Sequence, residues 1–347
     1  MAHGESSCDG ESLRLSDLSP RDLKWEEIKP LSQMTANAYA GTVFDKYYER
    51  MQGCSGWLRF ALVPNHDGEV VHKLQSTRLC HVRHCPICQW RRALMWRAKT
   101  FRALRRIITD YPRKRFIYLT LTVRNCEVDQ LGATLTWMNK SWERLTHCKD
   151  FPALGWLRAT EVTRGQDGSA HPHFHVLMMV NPSYFSKYYV TQQEWRELWR
   201  RSLRVEYDPQ VDIKVVKPVK TKLAEVSEPL VDSSELPEIK PMDEGLVAAI
   251  RYTLKYSTKP DEFLFLTGSS MSDDIEKYQA WLIEITSQMH KRKSIALGGI
   301  FKKYMSENDP KNLIVDEEKV EDSETQDEDP RVTYVWRDEV TQYLMSA

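Results

Sequence analysis

Three histidines stand at alternate positions in HPHFHVLMMV, at His171, His173 and His175. An extended strand sends alternate side chains to one face, so the three imidazoles project together. The VLMMV that follows is apolar and partly β-branched, the mark of a buried strand. Imidazoles crowded on one face beside an apolar core suit metal binding or proton chemistry. Glu161 lies on a preceding segment that alternates as a second strand, GWLRATEVTRG (155–165), with GQDGSA between them as a turn. A hairpin would bring its carboxylate beside His173 and His175. Two imidazoles and one carboxylate leave coordination positions open, as a catalytic divalent ion requires. Such an ion could polarise a phosphate oxygen, but the same ligand set also suits a non-haem iron oxygenase.

A second constellation is CPIC, with Cys85 and Cys88, preceded by Cys80 five residues upstream and by Cys54 further back. Four thiolates would make a closed tetrahedral zinc site. His81 and His84 are the substitutes if Cys54 takes no part, and a redox CxxC pair is the rival reading. A third is Tyr252 and Tyr256 in RYTLKYSTK, four residues apart and therefore on one helix face. A phenol is a poor nucleophile, and attack on phosphate needs a metal or a cation such as Lys255 or Lys259.

Charge decides which partner these groups face. The 347 residues are neutral overall, yet Glu307 to Pro330 carries eleven acids against two lysines. The first 306 residues are therefore basic, and His72 to Arg115 holds thirteen Lys and Arg against Asp110 alone. That density implies a phosphate-rich partner. Arg91, Arg92 and Arg97, on the helix that follows the cysteine knuckle, are candidate DNA contacts. No apolar run approaches the ~18 residues of a membrane span. Seven cysteines without an export signal predict a reducing cytoplasm and metal binding in place of disulfides.

These groups need elements to hold them. RFIYLTLTVRN (115–125) reads as a strand, and helices are predicted over DQLGATLTWMNKSWERLTHC, TQQEWRELWRRSLRV, LVAAIRYTLKYSTKP and residues 275–290. The histidine hairpin implies antiparallel pairing, so the predicted class is α+β: a central antiparallel sheet flanked by helices, with a small zinc-binding subdomain. The predicted organisation is an N-terminal extension, partly disordered, over 1–50; the knuckle and basic helix over 51–110; a main domain over 111–303 with an insertion near 221–244; and an acidic tail over 304–347.

Taken together, C…CHVRHCPICQWRRA, FIYLTLTVRN, GWLRATEVTR…HPHFHVLMMV and LKYSTK resemble the replication initiators of rolling-circle plasmids, within the HUH endonuclease superfamily. The resemblance runs from about Cys54 to Lys303. It implies an HUH-type sheet and a nickase that cuts one strand at the plasmid's double-strand origin, presented as a single strand or extruded hairpin. It places a catalytic divalent ion, Mg²⁺ or Mn²⁺, on His173 and His175, with His171 also fitting the motif, beside the Zn²⁺ that the cysteine spacing already predicts. It makes Tyr256 the nucleophile, joined to the 5′-phosphate as a 3′-OH primer is released. It also implies a prokaryotic host helicase and polymerase as partners. The chain departs from one pattern in this group, where a glutamate stands one turn before the nucleophile; here that position is Tyr252. An HUH transposase or relaxase, and a non-catalytic zinc-dependent DNA-binding regulator, are the competing functions. Relaxases usually place the tyrosine before the histidines, and a regulator leaves the alternating histidines unexplained.

Overall fold

The computed structural model describes residues 13–65, 67–216, 244–254, 271–306 and 330–346. The chain divides into two compact units, Met1–Cys88 with Ile314–Ala347, and Gln89–Leu313. Both are α+β, with antiparallel sheets flanked by helices; the class is the predicted one, and the first unit's sheet comes in addition to the one central sheet the sequence predicts. No helix among the described residues is long and apolar enough to cross a membrane.

The first unit contains helices α1 (Leu15–Leu18), α2 (Lys24–Asn37) and α3 (Asp45–Gln52), and a hairpin of β1 (Trp57–Pro64) and β2 (Val70–Thr77). Two strands from the far end of the chain, β8 (Arg331–Arg337) and β9 (Gln342–Met345), complete an antiparallel sheet of order β2-β1-β8-β9. One face buries Leu58, Phe60, Tyr334 and Tyr343, all fully enclosed. This corrects the reading of residues 304–347 as one acidic tail: the last part of it is a pair of core strands. Within the stretch 1–50, Trp25, Ile28 and Tyr39 are buried. The acidic stretch itself, 307–329, lies outside the described residues. The β1–β2 hairpin, absent from the sequence reading, carries a register shift between Arg59 and Phe60. Such a bulge interrupts the period of two by which a strand announces itself.

In the second unit the order is β6-β3-β5-β4-β7, antiparallel throughout: β3 (Arg115–Thr122), β4 (Ala153–Arg164), β5 (Ala170–Val180), β6 (Val211–Val215) and β7 (Ile295–Gly298). Five helices complete it beside the long α4 (Pro86–Asp110), which begins at the unit boundary: α5 (Leu131–Thr146), α6 (Gln192–Leu203), α7 (Glu244–Thr253), α8 (Met271–Gln288) and α9 (Gly299–Ser306). Helix α6 starts at a capping box, Thr191 with Glu194, and ends at Arg204 in the left-handed region. Between β7 and α9 the chain needs glycine. Gly299 has φ +52, and a Cβ there would meet the Leu154 carbonyl oxygen at 2.2 Å.

The sheet has two unlike faces. On one, Leu157, Leu177 and Met179 pack with Leu104 and Ile107 of α4, Ile250 and Leu254, and Phe301 and Met305 of α9. On the other, Phe174 lies among Trp142 and Trp199, each with ring centroids 6.3 Å away. The buried Arg158 guanidinium sits 4.0 Å over the Phe174 ring and donates to Asn139. Burial pulls the Arg158 pKa down to about 9. Phe174, between the two inner histidines in sequence, thus anchors the strand from behind while they face forward.

Candidate active site and metal centres

Strand register assembles the first centre. In the β4–β5 hairpin Glu161 pairs directly with His173, and Ala159 with His175. Antiparallel partners share a face, so the carboxylate and both imidazoles converge. Glu161 Oε2 lies 2.9 Å from His173 Nε2 and also hydrogen-bonds His175 Nε2. All three side chains are buried. Burial alone would raise the Glu161 pKa, but hydrogen bonds and charge from the two histidines hold it well below the usual carboxylate range.

The other ring nitrogens have partners of their own. His173 Nδ1 lies 3.2 Å from the His171 carbonyl, so a proton there donates to it and leaves Nε2 as the lone-pair atom. His175 Nδ1 meets the Tyr118 hydroxyl, with Thr120 Oγ1 at 3.4 Å. Tyr118 and Thr120 lie on β3 opposite Leu177 and His175. The His173 Nε2 lone pair aimed at a carboxylate oxygen repels it unless a proton or a cation lies between them. The donor set therefore fits a divalent metal held by Glu161, His173 and His175. His171 projects to the same side, its ring 5.3 Å from that of His173, but it is not among the three atoms that converge. Burial lowers its pKa, and the charge of His173 adds to the effect.

Helix α7 brings the tyrosine. Tyr252 is 48% exposed, and its ring packs edge-on against His175 at 5.2 Å and Tyr118 at 5.1 Å. Tyr256, Lys255 and Lys259 lie outside the described residues. On the neighbouring edge strand, Lys214 pairs with Tyr118 in register and its ammonium lies 2.9 Å from Asp212. The sequence reading missed Tyr118, Thr120 and Lys214. The alternation in YLTLT offered a parity for the first two, but nothing local said which strand they would adjoin.

The second centre is closed. Sγ–Sγ distances are 3.7 Å for Cys54–Cys85, 3.8 Å for Cys54–Cys88 and 3.5 Å for Cys80–Cys88. A tetrahedron of metal–sulfur bonds of ~2.3 Å has edges of about 3.8 Å, so the four thiols fit one ion. All four are buried. Burial opposes ionisation of Cys85, but S–H donors from Cys54, Cys80 and Cys88, with Ser32, hold it well below a free thiol. Lys29, 2% exposed, donates to the Cys54 carbonyl at 2.5 Å and places a cation beside the sulfurs. Cys54 completes the set, and His81 and His84 do not join it. Four converging sulfurs also displace the redox-pair reading. Cys126 and Cys148 stand apart, half-buried. Arg91, Arg92 and Arg97 are half-buried along α4, with the Arg91 guanidinium 5.6 Å over the Trp90 ring.

Fold and site thus define an α+β protein with two candidate metal centres, one closed by four sulfurs and one open beside a tyrosine helix. The chain belongs to the Replication protein family, which matches residues 71–344. This agrees with the resemblance its motifs bear to the initiators of rolling-circle plasmids. It is 32% identical over 289 residues to a Protein rep of Streptococcus pneumoniae, covering 81% of this chain and 78% of that one. A Protein rep of Bacillus amyloliquefaciens is 32% identical over 293 residues, 82% and 79% of the two chains. One of Lactiplantibacillus plantarum is 34% identical over 225 residues, 63% and 69%. No solved structure matches the chain.

Proposed function

We propose that this replication protein starts rolling-circle replication by nicking one strand of a plasmid origin through tyrosine attack. The observation that carries the reading is the convergence of Glu161, His173 and His175 beneath the helix that bears Tyr252. Tyr256 follows four residues later in the sequence, outside the described residues. Glu161, His173 and His175 would hold Mg²⁺ or Mn²⁺, which when bound supplies polarisation of a phosphate oxygen. Tyr118 orients His175 through Nδ1, and the His171 carbonyl orients His173. The phenol oxygen of Tyr256 bonds to phosphorus and the P–O3′ bond breaks. The departing oxygen takes up a proton, leaving a 3′-OH primer and a 5′-phosphotyrosyl link. Tyr252, whose ring packs against His175, would act in the closing transfer.

Zn²⁺ in the four-cysteine centre would shape the first unit, and Arg91, Arg92, Arg97 and Lys259 would meet phosphates of the origin. A 3′-OH primer on a nicked duplex then calls for a host helicase and polymerase.

The test is a denaturing-gel adduct assay with labelled single strands tiled across the protein's own replicon. The expected result is a covalent band with Mn²⁺ that disappears with chelator and in Tyr256→Phe. Folded, metal-loaded protein that gives no band on any tile would favour the DNA-binding regulator instead.

A further inference from the structure

The histidine face of the second unit's sheet carries one cation to which the proposed chemistry gives no part. Alternate strand positions share a face. Register thus places Tyr118 and Thr120 of β3, Glu161 of β4, and Asp212 and Lys214 of β6 on the face that bears His173 and His175. Among the described strand positions of that face, Lys214 is the one lysine or arginine; Arg115, Arg158 and Arg164 fall on the other face. Lys214 stands opposite Tyr118, whose ring lies 5.1 Å from that of Tyr252. Its ammonium is 2.9 Å from Asp212. Asp212, Thr120 and His175 form one row across three neighbouring strands, so the Asp212 Cα lies about 10 Å from that of His175. The ion pair therefore bends the lysine along its strand toward the row of His175. The two side chains are 69% and 44% exposed, and so open a pair adds little to stability. What it fixes is where the ammonium stands. The hydrogen bond and charge of Asp212 raise the Lys214 pKa, and Tyr252 adds to the effect, so the group is a full cation at neutral pH.

We propose that Lys214 grips a phosphate of the DNA strand as it passes the histidine centre on the β6 side, with Asp212 as the residue that aims it. An ammonium binds phosphate as a point charge. It has three N–H donors, and Asp212 occupies one, which leaves donors for a second anion on the exposed side. The place of Lys214 in the sheet selects which phosphate it meets. Glu161, His173 and His175 lie on β4 and β5, while Lys214 lies on the edge strand beyond β3. The phosphate it reaches is therefore a neighbour of the one attacked. Holding that neighbour fixes how far the strand is drawn across the centre, and with it the bond presented to the tyrosine helix. Lys214 thus binds and positions substrate without touching the reacting atoms. The inference rests on the nickase reading given above.

The experiment uses full-length protein, its Lys214→Gln and Lys214→Arg variants, and the single-strand tile of its own replicon that binds most tightly. Fluorescence anisotropy with chelator present reads binding without any reaction. In Lys214→Gln the affinity falls about tenfold, the scale of one charge-assisted hydrogen bond. The slope of log K against log salt shrinks by about 0.7, one single-strand phosphate no longer neutralised. Lys214→Arg keeps the charge and restores both. Replacing single phosphates of the tile by neutral methylphosphonates then locates the contact: at one position the wild type weakens and Lys214→Gln does not. In single-turnover adduct formation with Mn²⁺, the half-saturating strand concentration rises about tenfold, and the rate at saturation changes less. An unchanged melting curve certifies the fold. Affinity and slope unchanged in Lys214→Gln would overturn the proposal, as would equal losses in wild type and variant at every methylphosphonate. A fall in the saturated rate with binding intact would overturn it too, and would make Lys214 an aid to the tyrosine instead. Absence of any adduct from the wild type would sink the nickase reading alone, since binding, slope and methylphosphonate contrast are read without reaction.

Discussion

The two candidate metal centres are built by opposite means. The cysteine centre gathers ligands from the turn after α3, the loop between β2 and α4, and the first turn of α4, encloses all four sulfurs, and leaves no position for substrate. The histidine centre takes its ligands from two adjacent strands at paired positions, and a partly exposed tyrosine stands at its side. A closed sulfur tetrahedron contributes folding free energy, while an open set with hard oxygen and nitrogen donors is suited to chemistry on phosphate. The difference teaches that ligand count and enclosure, more than ligand identity, separate a metal that holds a fold from one that acts.

The largest expected effect breaks the closed centre. Cys85→Ser should remove on the order of 10 kcal/mol of metal-linked folding free energy. Thermal melts should then show loss of the first unit, and bound metal should fall by one equivalent. If the melt were unchanged, the four cysteines would not be a structural site. Next, His175→Ala should cut adduct formation about a thousandfold, the scale of removing one principal electrostatic interaction from a transition state. Its melting temperature should stay near the wild type; a collapse of the fold would erase the contrast between the centres.

Tyr118→Phe sharpens the comparison further. It removes only the hydroxyl that meets His175 Nδ1, so metal affinity should weaken roughly 10- to 100-fold by titration calorimetry, with the cysteine centre untouched. Smallest of all, Tyr252→Phe should leave the first nick close to wild type and slow rejoining of the cut strand. Rejoining at the wild-type rate, with Tyr256→Phe inactive, would reduce Tyr252 to a packing residue.

Much of the histidine centre was legible because strand geometry is local. His173 and His175 had to share a face, with Phe174 on the other, whatever the strand paired with. The hairpin turn at 165–169 followed from its glycines, and Gly168 does adopt φ +84. The class followed as well, since a short turn between two strands makes them antiparallel. The bulged β1 was not legible, nor was β8, whose partner β1 lies some 270 residues away in sequence. Local pattern carries no information on pairing at that separation.

The sequence by itself determined which residues could be ligands: alternate histidines on one face, and a CxxC knuckle at the head of a basic helix. Only the tertiary structure decided which of them meet. It paired Glu161 with His173 and not with its neighbours, because a one-residue slip would have turned the carboxylate to the opposite face. It also brought Cys54 to Cys85 and Cys88, left His171 outside the converging set, and set Tyr118 and Tyr252 against His175. Side-chain direction is set by local backbone period, whereas register and long-range pairing are set by the burial of whole faces.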